Sequence, residues 1–158
     1  MKKYIKKIAV FLSAAIIFST LTILANALIY PNTPIRSFYT YIPFGSYTSV
    51  QNTSEAKVDG SPMYISVNSS APGNTYYARA MRCNAGTMEN QENRTMYNGR
   101  SVDHVTISRA TPYGIENNIV QSLDDELCVI SLLSYSGYGY TSGWWAPDTD
   151  QEYATPSP

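Results

Sequence analysis

Residues 127–145 read LCVISLLSYSGYGYTSGWW. The first half, 127–135, is almost continuously apolar and rich in β-branched side chains, the pattern of a central strand buried on both faces. The second half, 136–145, is aromatic and punctuated by Gly137, Gly139 and Gly143. It reads as a last strand ending at Trp145, with the glycines marking bulges or a close backbone approach. Outward from this stretch, 61–70 (SPMYISVNSS) alternates, with Met63, Ile65 and Val67 on one side and Tyr64, Ser66 and Asn68 on the other. That is the period of a half-buried strand. Ala71-Pro72-Gly73-Asn74 is a strong turn, and 75–83 (TYYARAMRC) reads as the hairpin partner of 61–70. Its buried face is either Tyr77, Arg79, Met81 and Cys83 or Tyr76, Ala78, Ala80 and Arg82.

The rest of the chain follows the same rhythm. Residues 28–37 are an irregular lead-in with two prolines, and 38–50 form an aromatic first strand with Phe38, Thr40, Ile42 and Phe44 on one face, interrupted at Pro43 and Gly45. Residues 51–60 are a polar connector turning at Asp59-Gly60, 84–101 a long loop or weak hairpin around Asn98-Gly99, and 102–109 a short strand. Residues 111–118 read as a loop, 119–123 as a short strand before the acidic turn Asp124-Asp125-Glu126, and 146–158 as a frayed tail. No mature segment keeps a 3.6-residue apolar period over three turns, and no repeat has a fixed spacing. The expected fold class is all-β, a small antiparallel β-sandwich after an N-terminal signal helix. The expected divisions are a signal peptide at 1–27, the lead-in and first strand at 28–50, a sandwich core at 51–148 and a polar tail at 149–158.

The first 27 residues carry Lys2, Lys3, Lys6 and Lys7, then an uncharged apolar run ending in Leu24-Ala25-Asn26-Ala27. Basic start, apolar middle and small-x-small end predict a secretory signal cleaved after Ala27, with a retained membrane anchor as the alternative. No Cys follows the run to take a lipid, and the ending DQEYATPSP has no apolar stretch. Release to the extracellular space is therefore expected. Without the signal the chain keeps seven basic side chains (Lys57 and six Arg) against twelve carboxylates, a net charge of −5. That sign argues against nucleic acid as a partner. Aromatics make up 13% of the sequence and charged residues only 15%, which argues against a disordered chain. The two cysteines, Cys83 and Cys128, predict one disulfide in an oxidising compartment, with two buried free thiols packing as small hydrophobes as the alternative. It would close a loop of about 46 residues and stabilise the fold by about 4 kcal/mol in the chain-entropy account.

Sites for chemistry are sparse. His104 is the sole histidine and follows Asp103, but no Gly-x-Ser-x-Gly elbow supplies a nucleophile, so no catalytic residue is assigned. One histidine and two distant cysteines make no zinc set. Asp148, Asp150 and Glu152 begin like a calcium loop, yet Tyr153 stands where such a loop needs Gly, and they read as solvated. No metal or cofactor is expected. Gly137, Gly139 and Gly143 do not form a dinucleotide fingerprint. The aromatic excess is the positive signal. Tyr135, Tyr138, Tyr140, Trp144 and Trp145 fall within eleven residues. Such rings stack on sugars or anchor a protein partner, and they equally pack between strands.

The segment Ser142-Gly143-Trp144-Trp145-Ala146-Pro147-Asp148 resembles the Gly-x-Trp-Ser-Pro-Asp ending of small, uncharacterised secreted proteins of Gram-positive bacteria, with Ala146 in place of Ser. A Lys-x-Asp turn (Lys57-Val58-Asp59), a Tyr-Ile-x-Val strand (Tyr64–Val67) and a Tyr-x-Arg-Ala strand (Tyr77–Ala80) extend the likeness over about residues 55–150. The two cysteines lie outside that pattern. The resemblance implies a secreted β-sandwich with no assigned activity and, more loosely, kinship with lactococcin-like bacteriocins. The reading adopted is a secreted, non-enzymatic protein that binds a cell-wall glycan or surface protein at the envelope through Tyr135, Tyr138, Tyr140, Trp144 and Trp145. The alternatives are a bacteriocin-like toxin, against which the net negative charge weighs, and a secreted hydrolase working with paired Asp or Glu side chains.

Overall fold

The computed structural model describes residues 34–83, 91–119, 127–149 and 153–158. The signal segment 1–27 and the acidic turn at 124–126 lie outside these, as does most of the strand expected at 119–123. The described residues hold twelve strands: β1 (Arg36–Ile42), β2 (Thr48–Ser49), β3 (Glu55–Ala56), β4 (Met63–Val67), β5 (Thr75–Cys83), β6 (Glu92–Asn93), β7 (Met96–Tyr97), β8 (Arg100–Ser101), β9 (Val105–Ser108), β10 (Pro112–Ile115), β11 (Leu127–Leu133) and β12 (Gly139–Ala146). One sheet runs β1-β12-β4-β10. A second runs β2-β11-β5-β6, with β3 also on β11 and β9 also on β5, and β7-β8 is a small ribbon. Every pairing between these strands is antiparallel. The fold is an all-β antiparallel sandwich.

Period-2 alternation explains the core. The four-stranded sheet turns Phe38, Ile42, Met63, Ile65, Val67, Ile115 and Trp145 inward. The six-stranded sheet meets them with Tyr76, Ala78, Ala80, Val105, Ile107, Cys128, Ile130 and Leu132. β11, the continuous apolar run, lies in the middle of its sheet as its composition predicts. Small side chains on β5 (Ala78, Ala80) face the large ones of the opposite sheet. Gly143 is required by a close approach: a Cβ there would stand 2.1 Å from the Ser66 carbonyl oxygen and 2.8 Å from the Phe38 ring. Asn98 and Gly99, with φ of 49° and 73°, make the β7–β8 turn, a left-handed pair suited to a two-residue hairpin.

Four expectations are corrected. β5 is not the hairpin partner of β4: β4 lies between β12 and β10, whereas β5 lies in the other sheet. The turn at 71–74 reverses the chain but carries it across the sandwich. Residues 112–115, read as a loop, form β10 and pair with β4. Phe44 leaves the inward row after Pro43 and stands 61% exposed. The tail is not frayed at its end. Ala154 bridges Tyr113 of β10 and Ser157 bridges Thr106 of β9, so 153–158 joins the borders of both sheets. The Tyr153 ring lies over Gly114, in space a side chain there would fill.

Candidate binding face

The aromatic residues singled out from the sequence separate into different places. β12 pairs with β1 through Tyr41↔Tyr140, Tyr39↔Ser142 and Ser37↔Trp144. Directly paired residues share a face. Thr141, Gly143 and Trp145 point inward, so Tyr140, Ser142 and Trp144 point out beside Tyr39 and Tyr41. Tyr39 is 71% exposed, Tyr41 46%, Tyr140 63% and Trp144 47%. The Tyr39 and Tyr140 rings stack with centroids 5.0 Å apart and planes 5° apart, and Tyr41 meets Tyr140 edge-on at 5.4 Å. Strand geometry puts Trp144 about 13 Å along β12 from Tyr140. Between them Ser142 accepts a 2.7 Å hydrogen bond at Oγ from Asn68 Nδ2. Across the strand Trp144 pairs with Ser66 of β4. The outward strand residues of this region are Ser37, Tyr39, Tyr41, Tyr140, Ser142, Trp144 and Ser66, and none is charged.

Trp145 is corrected as a contact residue. It is 0% exposed, the largest fully buried side chain of the core. Its neighbour Trp144 faces out, so strand alternation forces it inward. Tyr138 is exposed in the approach to β12. Tyr135 belongs to a second cluster. Its ring meets Phe44 and Tyr77 edge-on, each at 5.8 Å, and Tyr77 meets His104 at 4.4 Å. Tyr77 and Arg79 are on the outer row of β5. The Arg79 guanidinium lies 3.6 Å over the Tyr47 ring and donates from Nε to the Asp103 carbonyl at 2.9 Å and from a terminal nitrogen to the Asp103 carboxylate. Burial raises the Tyr47 hydroxyl above its ordinary pKa, against the opposing charge of Arg79. Asp103 is held below its ordinary value, chiefly by its hydrogen bond with His104 (2.9 Å) and then by Arg79. His104 is thus occupied by a structural carboxylate and an aromatic edge.

The predicted disulfide is absent: both thiols are free and buried. Cys83 pairs with Leu127, and Cys128 pairs with Arg82. One residue of offset sends the two side chains to opposite faces of the sheet, a relation that sequence separation cannot reveal. Burial raises both thiols above their ordinary pKa, Cys128 the more strongly despite the nearby Lys57 charge. They are poor nucleophiles in consequence.

Sequence reasoning missed Tyr39 and Tyr41, although the alternation of 38–42 with inward Phe38 and Ile42 carries the signal. It also did not foresee that two motif segments meet. Lys57, of the Lys-x-Asp turn, donates from Nζ to Asp148, which closes the Trp-containing ending. The Lys57 side chain is 0% exposed and that of Asp148 2%, so Asp148 is no solvated tail residue. Asp148 Oδ2 accepts from Val58 N at 3.0 Å, and Oδ1 from Asp59 N at 3.3 Å. Lys57 Nζ also donates to the Ser61 carbonyl at 2.7 Å. Among the described residues no three His, Cys, Asp or Glu side chains are placed to hold a metal ion. No protein-family model, curated protein or solved structure matches the chain.

Proposed function

We propose that the chain is exported and acts without catalysis, binding a neutral glycan of the cell envelope through Tyr39, Tyr41, Tyr140 and Trp144. The observation that carries this reading is the make-up of one sheet face. Four exposed rings stand on paired strands, with hydroxyl and amide groups between them and no charge among the outward strand residues. Aromatic faces stack on the C–H faces of sugar rings, and the hydroxyls and amides answer sugar hydroxyls. A sheet holds these groups at fixed spacing, so little ordering entropy is lost on binding. The lysine-rich start and apolar run favour export, and the resemblance to secreted Gram-positive proteins fits the same destination.

The test is retention of the purified protein on insoluble cell-wall polysaccharide. Tyr140→Ala and Trp144→Ala are each expected to weaken binding by about tenfold, in keeping with aromatic contacts at the centre of an interface. Far-UV circular dichroism should stay unchanged, because both side chains lie outside the core. Retention of both variants at wild-type strength would remove this face from the function.

A further inference from the structure

We propose that Lys57 and Asp148 become joined by an amide bond between Lys57 Nζ and Asp148 Cγ, an internal cross-link that the folded chain makes for itself. An amine and a carboxyl group stand together out of water, with a second, partly exposed carboxyl group beside them. The Lys57 side chain is 0% exposed and that of Asp148 2%, and Nζ is hydrogen-bonded to the Asp148 carboxyl group. Asp59 Oδ1 stands 4.0 Å from the same Nζ. Val58 N, on Asp148 Oδ2 at 3.0 Å, and Asp59 N, on Oδ1 at 3.3 Å, aim backbone donors at the carboxyl oxygens. The Ser61 carbonyl accepts a hydrogen bond from Nζ at 2.7 Å and fixes the nitrogen's direction.

These placements match what a condensation requires. Two groups held in contact replace a bimolecular encounter, which removes much of the entropic barrier. Backbone N–H groups on the carboxyl oxygens stabilise the negative charge that grows when nitrogen adds to Cγ. Asp59 is the proton relay. As an ionised carboxylate it takes a proton from the Lys57 ammonium once a shift of about 1 Å brings Oδ1 within hydrogen-bond reach of Nζ, the free amine attacks Cγ, and the relay passes protons to the oxygen that departs. One Nζ proton stays on the amide. The other two leave with one Asp148 oxygen as water, and the opposite charges of the ion pair disappear together. No oxidant, reductant or added reactant is needed. An ion pair so buried carries a desolvation cost that its attraction repays only in part, and the amide abolishes both charges. Exclusion of water disfavours the reverse hydrolysis.

The experiment is mass spectrometry on the whole folded chain after reduction, denaturation and trypsin digestion. The expected product is peptide 37–79, uncut after Lys57, joined to peptide 110–158, with a mass one water below the sum of the two. Lys57→Arg should give the same two regions unjoined. Asp59→Asn should fold and join slowly or not at all, so a time course on folded protein separates loss of the relay from loss of the fold. Wild-type protein that yields only free peptides 37–57, 58–79 and 110–158 after prolonged incubation in the folded state would overturn the cross-link. Joining by Asp59→Asn at the wild-type rate would overturn the relay role.

Discussion

Adjacent residues in a strand have opposite fates, and Trp144-Trp145 shows it most plainly. One indole is 47% exposed and the other is sealed in the core, where its Nε1 has no hydrogen-bond partner among the described residues. Tryptophan emission should therefore contain two components. Acrylamide should quench the red one and leave the blue one, and Trp144→Phe should remove the quenchable component alone. A single component, wet or dry, would contradict this placement. The sequence carried the split, since period-2 alternation forbids both from serving one face, although both indoles were expected on the binding surface. The buried Lys57–Asp148 contact was not legible, because 91 positions separate the two residues and nothing local to either announces the other. The same holds for Cys83 and Cys128, whose sheet faces depend on a register that composition does not encode.

Among the elements, strands whose side chains alternate or are uniformly apolar could be read directly: β4, β11 and β12 lie where their patterns place them. β10 could not, because Pro112 and Gly114 are turn formers and its strand character comes from pairing with β4. The end of the chain could not either. Its polar side chains give no strand signal, and its attachment runs through the backbone. Thr106 N donates to Ser157 O at 2.6 Å, Ala154 N to Pro112 O at 2.9 Å, and Gly114 N and Ser157 N to Ala154 O and Thr106 O at 3.3 Å each. Four such bonds contribute about 2–6 kcal/mol net. Deleting 153–158 should lower the unfolding free energy by that amount in urea titrations. An unchanged midpoint would show that the segment adds nothing to stability.

For the molecule as a whole, two depressed carboxylates contribute to the acid limit. Burial pushes Asp59 upward, but hydrogen bonds from Ser61 and, while Lys57 and Asp148 are still an ion pair, the contact with Asp148 and the Lys57 charge bring it below its ordinary value. Asp103 is lowered as well. In each case the unfolded chain takes up a proton at a higher pH than the folded one, so stability is present above the usual carboxylate range. It is lost as pH falls from there through the lowered values. Urea midpoints should decline across that window, and Asp103→Asn should flatten the decline. An equally steep decline in the variant would clear Asp103 of any part in it. The pairing of β1 with β12 also has a kinetic consequence. Residues 36–42 have their described ladder partner at 139–146, and β4 needs the same strand on one flank. Until β12 emerges during synthesis, β1 lacks its ladder and β4 is paired on β10's side alone. Contacts so distant along the chain form late and slowly. The four-stranded sheet therefore cannot close until nearly the whole chain has been made, and up to that point its half of the sandwich has no finished layer to lay over the core.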